Sequence, residues 1–80
     1  MRQEYEVIGI DEKTGEQCAI YASHRREKII EVTNNNHALA PENKPHNPRT
    51  GNKLISFKAV DRCDWTRVIY DPNNPSQKEA

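Results

Sequence analysis

The sequence predicts an α+β fold: two β-hairpins forming a small antiparallel sheet, with one short helix packed on a face. Three observations lead there. Residues 5–21 hold two runs of strand-forming residues around Glu12-Lys13-Thr14-Gly15-Glu16, and residues 54–70 hold two runs of period two around Asp61-Arg62-Cys63-Asp64. Between them, the residues after Ser23 mostly have good helix propensity. The competing reading is an all-β small barrel or sandwich in which residues 28–33 add a fifth strand, since Ile30, Val32 and Thr33 suit a strand equally well.

The first hairpin is organised by Gly15, which stands at the end of a short polar loop, where a type I turn needs positive φ to close through a bulge. That register sets Ile10 opposite Cys18 and Ile8 opposite Ile20, on one face with Ala22. Val7 then lies opposite Tyr21 on the other face. Next, Ser23 is placed to cap a helix whose Ile29, Ile30 and Thr33 share one side, although Arg25 and Arg26 then meet the positive end of the macrodipole.

Residues 34–53 read as a long loop and a mobile connector: the triplet Asn34-Asn35-Asn36 competes for backbone bonds, and Pro41, Pro45 and Pro48 remove donors. In the second hairpin a four-residue loop sets Ile55 opposite Tyr70, Phe57 opposite Val68 and Ala59 opposite Thr66 on the inner face. Lys58 then opposes Arg67 on the outer face. The tail over 72–80 is polar, contains Pro72 and Pro75, and is expected to be flexible.

The 80 residues permit one small domain, taken as 1–71. With 34% hydrophobic and 30% charged residues, the core must be thin. Twelve basic residues balance twelve acidic ones, so no long-range field favours nucleic acid or an anionic membrane. The N-terminal Met1-Arg2-Gln3-Glu4-Tyr5 lacks an apolar signal core, and no run approaches the roughly 20 apolar residues that span a bilayer. A soluble, cytoplasmic protein with no membrane partner is expected. Cys18 and Cys63 read as free thiols, because a reducing compartment and a sparse cysteine pattern argue against a bridge.

Chemical signatures are lacking. His24, His37 and His46 have no short ligand spacing, so neither a metal site nor a cofactor is expected, and the loop histidines read as solvated polar residues. There is no phosphate-cradling glycine loop and no nucleophile elbow. A small ribonuclease-like enzyme could draw on Tyr21, His24, Arg25 and Arg26, but adjacency along the chain does not make a cleft, and the chain is read as not an enzyme. The expectation is a small non-catalytic protein-binding module, for which size alone suggests an accessory or inhibitor protein of a bacterium or phage. Its partner-binding residues are expected to be Lys58, Arg67, Trp65 and Arg62 on the second hairpin, with Arg25 and Arg26 as the further candidates. Single-stranded nucleic acid stacked on exposed aromatics is the alternative partner.

Overall fold

The computed structural model describes residues 3–73, and the expected tail over 72–80 falls mostly outside them. The first hairpin closes as its turn chemistry requires. Strands β1 (Tyr5–Asp11) and β2 (Gln17–Ser23) are joined through Gly15 at φ 79°, a conformation that residues with a Cβ rarely adopt. The Asp11 amide donates to the Glu16 carbonyl at 2.8 Å and the Gly15 amide to the Asp11 carbonyl at 2.9 Å. Strands β3 (Leu54–Asp61) and β4 (Asp64–Tyr70) turn through Arg62 and Cys63, and helix α1 (Arg26–Ala38) lies between the two hairpins in the chain. The sheet is open and antiparallel in the order β2-β1-β3-β4, so the hairpins join along β1 and β3 while β2 and β4 form the edges. With α1 packed on it, the fold is the predicted α+β. Residues 28–33 are helix, and not the fifth strand of the all-β alternative.

The helix differs from its expected limits at both ends. Ser23 finishes β2 and is not the cap: its hydroxyl accepts from the Arg25 amide at 3.1 Å, and Arg25 holds the N-cap position without a side-chain bond. At the other end α1 continues five residues beyond Thr33, through the asparagine triplet that was expected to begin the loop. Tertiary bonds overcome the poor propensity of those residues. The Asn34 side chain accepts from the Tyr70 hydroxyl at 2.7 Å, and Asn36 donates back to the Val32 carbonyl at 2.9 Å. Lys44 donates to the last-turn carbonyls of Asn36 and His37 at 3.0 and 3.1 Å, a cation at the negative end of the helix.

Bulges change the predicted registers. Val7 does pair with Tyr21, but Ile8 pairs with Ala19, Gly9 with Cys18 and Ile10 with Gln17, so Ile20 is an extra residue and the expected Ile8–Ile20 and Ile10–Cys18 pairs do not form. In such a bulge two residues oppose one, which lets Ile20 join the helix side along with Val7. The second hairpin departs further. Its pairs are Ala59 with Tyr70, Val60 with Val68 and Asp61 with Asp64, replacing those expected of Ile55, Phe57, Lys58 and Ala59. Lys58 stands beside Ile8 of β1 and does not oppose Arg67.

The core under the helix joins Val7, Ile29, Ala59 and Ile69, with Tyr5, Ile20, Val32 and Tyr70 around it. Thr33 is buried there too, and its hydroxyl is satisfied by the Ile29 carbonyl at 2.7 Å. The face of Ile8, opposite to that of Val7, is turned away from α1, yet Ile8 and Val60 are also fully buried. The centre of the sheet is therefore buried on both sides.

Gly9 is the tightest point between β1 and β3. The pairing steps from Ile8–Lys58 to Ile10–Ile55, leaving Ser56 and Phe57 both opposite Gly9, with Ser56 in the left-handed region at φ 56°. A Cβ on Gly9 would lie 2.7 Å from Cε1 of the Phe57 ring and 3.0 Å from Cβ of Leu54, so only glycine leaves room for that ring. Urea titration should therefore show Phe57→Ala losing about 3–5 kcal/mol to the cavity it opens. Gly9→Ala should lose about 1–3 kcal/mol to overpacking. The double substitution should cost clearly less than the sum, since the ring that clashes is then gone; full additivity would show that the two sites do not share this contact.

Candidate functional site

The densest polar cluster lies at the loop end of the sheet, around Asp11. This carboxylate is only 1% exposed and accepts five hydrogen bonds. Its Oδ1 takes the amides of Lys13 and Thr14 at 2.8 and 3.0 Å. Its Oδ2 takes Nδ2 of Asn47 at 3.0 Å, the Thr50 hydroxyl at 2.6 Å and Nδ2 of Asn52 at 3.3 Å. Burial pushes the Asp11 acid up, but the bonds from Thr50, the two amides and Asn47 outweigh it and hold the group far below the ordinary carboxylate range. Glu16 is lowered as well, first by the hydrogen bonds from Arg49, which reach it at 2.6 to 3.1 Å, and then by Asn47.

These bonds correct the expectation of a mobile connector. After a short 3-10 turn at Pro41–Asn43, the chain returns as a closed loop in which Asn47 and Asn52 pair through the backbone at 2.7 Å. Gly51, at φ 78°, donates to the Asn47 carbonyl, and the Lys53 carbonyl accepts from the Glu12 amide at 3.0 Å. Oδ1 of Asp11 is occupied by its own turn and Oδ2 by the loop it holds. The cluster is a clasp.

The predicted partner-binding residues fall into separate places. Because Ser23 pairs with Tyr5 and Tyr5 with Asp61, the ends of β2 and β3 lie at the same end of the sheet, which brings Arg25 and Arg26 to the side of the molecule that carries Arg62. Arg62 is engaged there: its guanidinium pairs with Glu4 and lies 3.9 Å from Glu6, and Glu4 raises it further above its usual range. Trp65 donates from Nε1 to Glu6 at 2.8 Å, reaching from β4 across β3 to β1. Two carboxylates thus stand beside the aromatic and cationic groups that would have stacked bases and met phosphates. Arg67 is exposed on β4 and adds to the groups that lower Asp64, after the bonds from Thr66. Lys58 is partly buried on the central strand β3. Of the residues considered for acid-base work, Tyr21 pairs with Val7 on β2, while His24 and Arg25 lie in the connection beyond it.

Sequence reasoning passed over the β2 edge. Gln17, Ala19, Tyr21 and Ala22 are exposed along it, and Tyr21 is 37% exposed. The strand has neither charge nor proline, two of the devices that guard a sheet edge, and carries only the bulge at Ile20. Cys18, on the same strand, is a free thiol that burial pushes up, so it is a poor nucleophile. Cys63 is free and exposed in the β3–β4 turn. Among the described residues no three His, Cys, Asp or Glu side chains gather as metal ligands, and no helix is long and apolar enough to cross a membrane. Comparison with protein-family models, curated proteins and solved structures finds no match.

The clasp makes an acid-side prediction. A carboxylate whose folded pKa is depressed binds its proton in the unfolded chain first, so its contribution is complete above about pH 5 and is lost as pH falls below about 4. Asp11 and Glu16 act in the same direction. The melting temperature should drop steeply between pH 6 and pH 3, on the order of the carboxylate titration range. Asp11→Asn should melt lower at pH 7 and depend less on pH; an unchanged acid slope would remove Asp11 as its source.

Proposed function

We propose that the protein is a small non-catalytic protein-binding module whose contact surface is the β2 edge. The observation that supports this is the strand itself: seven residues, Gln17–Ser23, with no charge and no proline, at the border of an open sheet. Such an edge presents unpaired backbone donors and acceptors to an extended segment, with Ala19, Tyr21 and Ala22 as the side chains a partner strand would cover. The opposite edge is less suited. Strand β4 carries Asp64 and Arg67, and its pairing with β3 shifts twice, against the single shift of β2 with β1.

The role of the basic residues is secondary in this reading. Arg25 lies just beyond the end of β2, where it can select the charge of whatever lies along the strand, while Lys58, Trp65 and Arg67 belong to strands farther across the sheet and Arg62 to the turn between them. A cytoplasmic accessory or inhibitor role in a bacterium or phage remains the setting proposed for such a module.

Ala19→Lys places a charge on the edge at an exposed position, so stability should change by no more than about 0.5 kcal/mol. In pull-downs from bacterial lysate, this variant should lose the proteins captured by the wild type, whereas Lys58→Glu with Arg67→Glu should keep them. The reverse pattern would move the interface to the second hairpin, and turnover of a substrate by an edge-blocked variant would overturn the non-catalytic reading.

A further inference from the structure

Resting on the β2-edge reading, we infer that the strand laid along this edge is β2 of a second copy, giving an antiparallel, two-fold symmetric dimer. In such an arrangement the residues near the middle of the strand meet their own counterparts, and like charges set opposite one another destabilise the pairing. The two edges of this sheet differ at that point. The middle residue of β4 is Arg67, so self-pairing there would oppose two guanidinium groups, whereas the middle residue of β2 is Ile20 and the strand has no charge from Gln17 to Ser23. Among the sheet's two borders, β2 is the one whose sequence permits its own copy.

The flanks add direction. The turn before β2 carries Glu12, Lys13 and Glu16, the last already paired with Arg49, and Arg25 follows the strand. Antiparallel self-pairing brings the turn bearing Glu12 of each copy beside Arg25 of the other, twice over, while a parallel arrangement would bring Arg25 beside Arg25. The bulge at Ile20 fits the same occupant. It strengthens the local twist of the edge, and a second copy brings the same twist by identity. The result is one continuous sheet of eight strands, with both helices on the same face, because the two-fold axis runs perpendicular to the sheet. Pairing along one seven-residue edge covers less than the roughly 1,600 Å² of a standard interface, so the dimer should be weak and depend on concentration.

Sedimentation equilibrium of the full chain, over a range of concentrations, tests this. The expected result is a rise in mass from 9.3 kDa towards twice that value, reversed by Ala19→Lys and weakened by Arg25→Glu and by added salt. Hydrogen exchange should show the amides of β2, but not those of β4, becoming protected as concentration rises. A wild type that stays monomeric at the highest concentration overturns the dimer. If Ala19→Lys still abolishes capture of another protein, the edge reading stands without it. A dimer that persists in folded Ala19→Lys, with β2 amides unprotected, overturns both.

Discussion

A carboxylate with one hundredth of its surface exposed must be supplied with donors or give up its charge, and Asp11 is supplied with five. The rest of the loop end of the molecule follows from that requirement. Two donors are amides of the turn that Asp11 itself begins, and three are side chains of a loop that would otherwise have little reason to fold, since it carries almost no apolar residues. The loop has no core of its own and borrows order from a single charge. Glu16 and Arg49 extend the arrangement to the surface, and the backbone bond from Glu12 to Lys53 carries it into the sheet.

What could be read in the sequence was what depends on neighbours in the chain. Gly15 announced its turn because positive φ is a local demand, and the period-two runs announced strands. The registers were not legible beyond the turns, because the extra residues Ile20, Ser56 and Ile69, and Trp65, Thr66 and Arg67 at the second shift of β4, look like ordinary members of their runs. Nothing in a run of Cys, Ala, Ile and Tyr says where a strand will step out of phase. The helix limit was missed for a different reason. Asn34-Asn35-Asn36 is a poor helical segment by propensity, and it is held in α1 by Tyr70, 36 residues along the chain, and by Lys44, eight residues on and beyond the helix end.

The same division holds for the candidate surface. Charged residues stood out, but their arrangement depended on registers that bulges altered, and Arg62 and Trp65 proved to be occupied by Glu4 and Glu6. The β2 edge gave one signal, seven successive residues without charge, yet a strand becomes an edge only when the sheet order is known. That order is decided by the pairing of β1 with β3, which joins two separately encoded hairpins. A charge-free strand buried at the centre and one left at the border look alike in sequence.

The two kinds of donor around Asp11 also order events in time. Lys13 and Thr14 are within three residues of it, so the first turn can close as soon as its own segment is free to move, on the microsecond scale of hairpin formation. Asn47, Thr50 and Asn52 are 36 to 41 residues away, and must bear the entropy of closing that much chain before their bonds repay it. Half of the carboxylate is thus satisfied early and the other half late. Until the distant loop arrives, Oδ2 has only water for a partner, and the landing site for residues 47–52 is a hydrated anion already held in place by its own turn. Loop-closure entropy therefore places the bonds from residues 47–52 after those of the turn.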